Sequence, residues 1–284
     1  MTAIRYLLAD ATTRLKGKSE TPELDAQALL ACTLRRNRAW LFAWPEFVPD
    51  ANAQTAFAAL LGRRERGEPI AYLTGKREFW SLNLTVTTDT LIPRPETELL
   101  VETLLGLDLR DDARVLDLGT GSGALALALA TERPRWRITA SDRSAAALDV
   151  ARGNAEQLGL PNIVFRTGDW FAAIARDARF DAIASNPPYV ADDDIHLTEG
   201  DVRFEPLGAL AAGIGGLDAL TAIVRNAPDY LAPGGYLWLE HGANQGRAVR
   251  ELFNSARFDD VATRRDLAGL ERCSGGKLVS ASAG

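Results

Sequence analysis

From about residue 93 onward, short apolar segments alternate with helical segments, and this alternation constrains the fold most strongly. The predicted strands cover 115–118, 137–140, 163–165, 182–184 and 236–239, and the predicted helices cover 124–130, 144–158 and 217–230. Strands that alternate with helices favour a doubly wound α/β fold with a mostly parallel sheet. Because ligands bind beyond the carboxyl ends of the strands in such sheets, we expect the chemistry to lie there.

The segment 1–75 reads as helices only and predicts a small helical bundle. Thr21 and Pro22 offer a helix start, with Thr as the cap and Pro at the first helical position. A further helix is predicted over 52–66 and stops at Gly67. The first helix is indicated by apolar residues at helical spacing, namely Ile4, Leu7, Leu8, Ala11 and Leu15.

Residues 76–92 separate this bundle from the α/β segment at 93–284, and they predict a β-hairpin linker. Apolar residues from Trp80 to Val86 alternate with polar ones, which is the period of a strand. Thr88 and Asp89 are suited to a turn that leads back toward residues 91–92.

Charge and composition narrow the possible partners. The net charge is −6, with residues 1–75 at +2 and the remainder at −8, so no strong basic surface for stable nucleic-acid binding is expected. No apolar run reaches the ~20 residues that span a bilayer. Cys32 and Cys273 form no disulfide framework, and two histidines, His196 and His241, do not make a metal site. We expect a cytoplasmic monomer without a membrane partner or a metal.

A glycine-rich turn follows the first predicted strand of the α/β segment. It runs through Gly119, Thr120, Gly121, Ser122 and Gly123, directly after Asp117 and Leu118. The even spacing of its glycines departs from the dinucleotide fingerprint, and no Gly-Lys-Ser/Thr ending marks a phosphate loop. The turn therefore disfavours NAD and ATP while still letting backbone approach a ligand closely.

Acidic and aromatic residues follow the next two strands. Asp142 is placed where an acid accepts hydrogen bonds from ribose hydroxyls, although it could instead cap the helix before Ser144. Asp169 could bind an adenine amino group, and Trp170 could cover the ring or simply pack in the core. Together with the glycine turn, these positions favour an adenosine-bearing cofactor without a pyrophosphate, and S-adenosylmethionine is the best candidate.

The sequence Asn186-Pro187-Pro188-Tyr189 follows the fourth strand. The Asn186 side-chain oxygen and the Pro187 carbonyl could accept both hydrogens of a planar NH₂ group, and Tyr189 offers a ring face for stacking. Such a site suits an amide or exocyclic amine, whose nitrogen is poorly nucleophilic and needs orientation toward a methyl donor. The alternative is a rigid turn that merely ends a strand.

These motifs resemble those of class I S-adenosylmethionine-dependent methyltransferases that act on planar nitrogen, which have a Rossmann-like sheet. Three further segments resemble the peptide chain release factor glutamine methyltransferases of the HemK/PrmC family. They are Leu-Ile-Pro-Arg-Pro-Glu-Thr-Glu at 91–98, Arg-Phe-Glu-Pro at 203–206 and Leu-Glu-His-Gly at 239–242. The resemblance covers almost the whole chain.

The resemblance implies methylation of the glutamine N5 in the Gly-Gly-Gln loop of class I release factors, with S-adenosylhomocysteine as product and a role in translation termination. By this analogy 119–123, Asp142, Trp170 and Asn186 bind the cofactor, and 186–189 hold the glutamine, with Asn186, Pro187 and Tyr189 in the catalytic roles. Residues 1–75 would dock the substrate protein.

Two alternatives are open at this point: an adenine-N6 methyltransferase acting on DNA or RNA, and a non-catalytic module that binds S-adenosylmethionine. The acidic C-terminal part disfavours the nucleic-acid methyltransferase. The intact Asn-Pro-Pro-Tyr sequence disfavours the non-catalytic module. Arg94 and Glu98 could belong to the active-site wall or to an ion pair that joins the domains.

Overall fold

The computed structural model describes residues 2–279, and the chain divides into two compact units. The first comprises Met1–Lys76 together with Glu199–Phe204 and is called the helical unit here. The second comprises Arg77–Thr198 and Glu205–Gly284 and is called the sheet unit. Within residues 2–279, no helix is long and apolar enough to cross a membrane.

Five α-helices make up most of the helical unit. They are α1 (Ile4–Leu15), α2 (Pro22–Leu34), α3 (Arg38–Ala43), α4 (Ala51–Glu65) and α5 (Ile70–Thr74). Their apolar faces meet in one core that includes Leu15, Leu30 and Leu61. The sequence predicted α1, α2 and α4. The helices α3 and α5 span only six and five residues, which is too short for helical periodicity to be visible.

The start of α2 differs in detail from the prediction. Pro22 is the first helical residue and Thr21 stands at the cap position, but the Thr21 side chain accepts no backbone N–H. Its hydroxyl donates instead to the Asp25 carboxylate at 3.1 Å. Asp25 belongs to a buried ion pair described below. The Thr21 hydroxyl therefore binds this side chain and does not cap the backbone of α2.

The predicted hairpin forms with a different partner and turn. Strands β1 (Lys76–Phe79) and β2 (Leu82–Thr85) form a two-stranded sheet, so the partner of β2 precedes it and does not follow at 91–92. Trp80 and Ser81 make the turn, both with positive φ. The Trp80 backbone N–H donates to Glu98 Oε1 at 2.8 Å, which fixes this turn by a contact outside the hairpin.

A seven-stranded sheet forms the centre of the sheet unit, in the order β5-β4-β3-β6-β7-β9-β8. Strands β3 through β7 pair in parallel, whereas β9 is antiparallel to both β7 and β8. This confirms the predicted doubly wound, Rossmann-like α/β fold. The strands are β3 (Arg114–Leu118), β4 (Arg137–Asp142), β5 (Ile163–Thr167), β6 (Phe180–Ser185), β7 (Leu231–Glu240), β8 (Phe258–Arg265) and β9 (Glu271–Leu278).

Helices cover both faces of this sheet because neighbouring strand residues point to opposite sides. Val115 joins a core with α6, α7 and α8, whereas Leu116 joins a second core with α9 and α10. These helices are α6 (Glu98–Leu105), α7 (Ala124–Glu132), α8 (Ala145–Leu158), α9 (Asp218–Asn226) and α10 (Gly246–Asn254). The two cores hold the strands rigidly, so the residues after their carboxyl ends have fixed positions.

Candidate active site

The carboxyl ends of β3, β4 and β6 lie side by side at one edge of the sheet. Leu118 at the end of β3 is in register with Ser141 of β4 and with Ser185 of β6. Asp142 is the last residue of β4, and the segments that follow β3 and β6 contain the glycine turn and the Asn-Pro-Pro-Tyr sequence. The structure therefore brings the predicted motifs together, as the parallel topology requires.

The glycine turn crosses over the end of β4. The backbone N–H groups of Gly119 and Thr120 donate to the Ser141 carbonyl at 2.8 and 2.9 Å. Gly119, Gly121 and Gly123 all have positive φ, which explains their even spacing. A Cβ at Gly121 would meet no atom within 4 Å, whereas one at Gly123 would lie 3.0 Å from Leu127 Cδ1. Gly121 thus leaves room for a ligand, and Gly123 allows close packing of α7.

Asp142 fixes the turn from the neighbouring strand. Its Oδ2 atom accepts the backbone N–H of Gly121 at 2.9 Å, and Oδ1 accepts that of Ser144 at 2.8 Å. Ser144 in turn caps α8 by accepting from Ala147 N. Ser144, and not Asp142, is therefore the cap of α8, and Asp142 has a different structural role in holding the glycine turn. Because each carboxylate oxygen can accept more than one hydrogen bond, the role does not prevent Asp142 from binding a ligand as well.

A cavity of about 440 Å³ opens at this edge of the sheet, which is within the range of ligand pockets. Trp170 borders it, and the ring lies beside Gly119, because a Cβ on that glycine would be 3.5 Å from Trp170 Cζ3. Seven of the predicted site residues line the cavity: Gly119, Gly121, Asp142, Asp169, Trp170, Asn186 and Pro188.

A second, smaller cavity of about 50 Å³ lies beside the glycine turn, and Asn186 and Gly119 belong to both cavities. It also includes the predicted residues Thr120 and Ser122. Its most unusual member is Asp117, whose carboxylate is buried and accepts the Thr120 hydroxyl at 2.6 Å. Burial raises the pKa of Asp117 to about 7, against the opposing effect of hydrogen bonds from Thr120 and the Ala126 backbone.

The Asn-Pro-Pro-Tyr segment is held by contacts on both sides. Before it, the Ser185 hydroxyl donates to the Leu118 carbonyl at 2.6 Å. The Asn186 Nδ2 group donates to Thr97 Oγ1 at 3.0 Å, so Oδ1 is the atom of this carboxamide that is left to accept from a ligand. Pro188 lines the larger cavity.

The other two predicted catalytic residues, Pro187 and Tyr189, do not border either cavity. Pro187 is buried. The Tyr189 hydroxyl donates to Glu240 Oε1 at 3.3 Å. Burial, together with the nearby Glu240 charge, raises the pKa of Tyr189 well above its ordinary value, so the phenol stays protonated. The roles of Pro187 and Tyr189 toward a substrate remain predictions.

Arg94 lines the small cavity and forms an ion pair with Glu205, whose side chain is completely buried. Glu205 also accepts the Ile92 backbone N–H at 3.0 Å. All three residues belong to the sheet unit. Of the two predicted roles for Arg94, the structure favours the site wall, while Glu98 binds the Trp80 backbone.

Four polar residues of this region had no role in the sequence-based prediction: Asp117, Thr97, Glu205 and Glu240. All four lie within segments that carried the family resemblance. That is the only sequence signal that marked them, because their partners are up to 113 residues away along the chain.

His241 directly follows the last residue of β7. It is buried, with Nε2 at 2.8 Å from Ser274 Oγ and Nδ1 at 2.9 Å from the Gly242 carbonyl. Burial lowers its pKa, so the ring is neutral near pH 7. Both ring nitrogens are engaged, which leaves no free nitrogen for base catalysis.

Two family models match the chain. Residues 6–75 match the PrmC N-terminal domain, and residues 95–201 match the methyltransferase small domain. A solved methyltransferase structure from Pyrococcus furiosus superimposes with a TM-score of 0.54 and 18% identity, covering 79% of this chain and 100% of that one. At this identity the likeness concerns the fold alone.

Curated relatives match over nearly the full length. A release factor glutamine methyltransferase from Xylella fastidiosa is 51% identical, covering 95% of this chain and 96% of the relative. One from Burkholderia pseudomallei is 52% identical, covering 90% of this chain and 92% of the relative. These matches confirm the resemblance found in the motifs: the chain belongs to the release factor glutamine methyltransferase family.

Proposed function

We propose that this protein methylates the side-chain N5 of the glutamine in the Gly-Gly-Gln loop of class I release factors, and so supports translation termination. The observation that carries the proposal is the fixed carboxamide of Asn186. Its Nδ2 group is occupied by Thr97, and the residue borders both cavities at the carboxyl edge of the sheet. An acceptor oxygen held at this edge is what recognition of a primary amide requires.

The larger cavity suits S-adenosylmethionine. Its volume, the open space at Gly121 and the Trp170 ring beside Gly119 fit a nucleoside, and Asp142 and Asp169 supply acceptors for hydroxyl and amino groups. Thr120 and Ser122 of the turn border the small cavity beside it. When bound, S-adenosylmethionine supplies an electrophilic methyl group on a sulfonium. We assign the cofactor to these residues, with S-adenosylhomocysteine as the product.

The chain itself orients the acceptor. Asn186 Oδ1 and the Pro187 carbonyl would accept the two hydrogens of the glutamine amide. With both hydrogens bound, the nitrogen is held in one orientation, and positive charge that develops on it in the transition state is stabilised. This mechanism does not need a strong base near the nitrogen, because the amide proton becomes acidic as the new bond forms and can then pass to solvent. Tyr189 would pack beside the planar amide.

We further propose that the helical unit docks the body of the release factor. Large apolar side chains are exposed on one part of it: Tyr6, Phe42, Trp44 and Phe47. Backbone hydrogen bonds from Ile4 to Phe47 and from Phe47 to Trp44 place these residues in one region, called the aromatic surface here. Exposed aromatic side chains are enriched at protein interfaces. The protein would act as a cytoplasmic monomer.

The test is methyl transfer from labelled S-adenosylmethionine, with release factor and unmethylated DNA offered side by side. A release factor whose loop glutamine is replaced by alanine is the control. Label on the unaltered release factor alone supports the proposal. Label on DNA overturns the proposal and favours an adenine-N6 methyltransferase. Equal label on the control protein also overturns it, because the loop glutamine would then not be the methylated residue.

A further inference from the structure

A buried polar chain runs from the end of β7 to the Asn186 carboxamide. Glu240, which is 1% exposed, ends β7. Thr97 Oγ1 accepts from Asn186 Nδ2 at 3.0 Å. Glu240 Oε2 is buried without a well-formed hydrogen bond among the described residues, and it is the acceptor open to the Thr97 hydroxyl, which opposes the rise that burial causes in the pKa of Glu240. Tyr189 donates to the same carboxyl group at 3.3 Å. Thr97 is itself only 5% exposed and borders the small cavity together with Asn186.

The direction of the chain follows from what each group can donate. At a pH above the pKa of Glu240 its carboxylate only accepts hydrogen bonds, so the Thr97 hydroxyl beside it acts as the donor. The Thr97 oxygen can then only accept, and its partner on Asn186 must be the amino group. The carboxamide of Asn186 is thereby fixed with Oδ1 on the other side.

This direction matters because the two ends of a carboxamide have opposite hydrogen-bonding character. A flipped Asn186 would present its own NH₂ group where the substrate amide needs an acceptor. Two donors would then face each other, and the amide nitrogen would lose its orientation. Without Thr97, nothing in this chain of contacts distinguishes the two orientations.

We infer that Thr97 is a positioning residue that selects the acceptor orientation of the Asn186 carboxamide, with Glu240 as the fixed acceptor at the end of the chain. The inference rests on the proposed function for its catalytic consequence. Its structural part, the bond from Asn186 to Thr97, can be measured without any substrate.

The first measurement is the side-chain NH₂ signal of Asn186 in the nitrogen–proton NMR spectrum of the full-length protein, recorded at a pH above the pKa of Glu240 and assigned by its loss in Asn186→Asp. Thr97→Val keeps the shape of the side chain and removes the hydroxyl, whereas Thr97→Ser keeps the hydroxyl. We expect the Asn186 signal to shift in Thr97→Val and to stay close to its wild-type position in Thr97→Ser. An unchanged signal in Thr97→Val overturns the inference.

The second measurement separates kcat from binding, at a pH above the pKa of Glu240. Thr97→Val should lower kcat by about 10- to 100-fold, as expected for a reacting group held in the wrong orientation, with an unchanged cofactor Kd. Thr97→Ser should restore kcat to within about threefold. Equal losses in both variants, or a fall in melting temperature and cofactor affinity that accounts for the loss, contradict a positioning role. An inactive wild-type protein would instead refute the proposed function, and the NMR result would still decide on the bond.

Discussion

The helical unit pairs its buried charge, whereas the sheet unit pairs Glu205 with Arg94 but also buries carboxyl groups that have no cation. In the helical unit, the buried Arg64 guanidinium donates to Asp25 at 2.7 Å and to Asp201 at 2.8 Å. In the sheet unit, Asp117 and Glu240 are buried, and neither forms an ion pair within residues 2–279. Burial raises the pKa of each to about 7. Removing one partner of a buried ion pair is strongly destabilising, whereas buried carboxyl groups without a cation have the shifted pKa values that are common at functional sites.

The two units also differ in the kind of surface that they expose. The helical unit exposes the aromatic surface, and the sheet unit instead contains the cavities. Under the proposed function, the helical unit would recognise the partner protein and the sheet unit would carry out the methyl transfer. Four changes, from the largest expected effect to the smallest, test this division.

Asn186→Ala is expected to have the largest effect. Because Oδ1 is the proposed acceptor of the substrate amide, its removal should lower methyl transfer by about a thousandfold, the cost of losing one transition-state hydrogen-bonding group. Cofactor affinity, measured by calorimetry, should change only a few-fold, since the glycine turn, Asp142 and Trp170 remain. A collapse of cofactor affinity with surviving turnover would mean that Asn186 serves the cofactor.

Arg64→Ala should destabilise the protein by about 3 kcal/mol, because it leaves Asp25 buried without its cation. Denaturant unfolding followed by circular dichroism measures this. The matched control is Arg63→Ala, which removes an ion pair with Glu68 in which the Arg63 side chain is 44% exposed. The control should cost less than about 1 kcal/mol. Equal effects of the two variants would show that the buried pair adds no more stability than an exposed one.

Replacing Phe42 and Trp44 together by alanine should raise KM for a folded release factor about tenfold, the loss expected when interface aromatic residues are truncated. KM for a short peptide containing the Gly-Gly-Gln loop should not change, because the peptide reaches only the sheet unit. Leu267→Ala, on a fully exposed residue of the sheet unit, is the control. If KM for the peptide rises as well, the aromatic surface takes part in binding the loop itself, which contradicts separate roles for the two units.

The sequence predicted those parts of the site that depend on local pattern. The glycine turn, Asp142 and Asn186 all lie at the carboxyl ends of short, largely apolar strands, and a parallel sheet brings such strand ends together. Strand β9 was missed because Gly275 and Gly276 interrupt it. A Cβ at Gly275 would lie 2.3 Å from Trp238 Cδ2, so packing against the next strand requires glycine where strand propensity disfavours it.

The roles of Thr97, Glu205 and Glu240 could not be predicted for a different reason. Each acts through a partner on another element, as when the Glu205 carboxylate accepts from Ile92 and pairs with Arg94. The turn of the hairpin at Trp80 likewise depends on Glu98. Contacts of this kind come from the tertiary arrangement, and no spacing within one segment encodes them.

The smallest expected effect concerns Glu65 in the helical unit, which interacts with Arg14 at the end of α1 and with Lys18. Hydrogen bonds from Arg14, and then from Lys18, lower the pKa of Glu65 to about 2. A lowered pKa means that the folded state favours the ionised form, so this stabilisation is present above the ordinary glutamate pKa of ~4.3 and is lost as the pH falls toward 2.

Because solvent screens the interaction, Glu65→Gln should cost less than about 1 kcal/mol at pH 7. The difference between the variant and the wild type should shrink as the pH falls from 5 to 2, which unfolding curves across this range measure. A cost as large as that of Arg64→Ala would show that exposed pairs between α1 and α4 stabilise the helical unit as strongly as its buried one. A cost that grows as the pH falls would contradict the sign of the pKa shift.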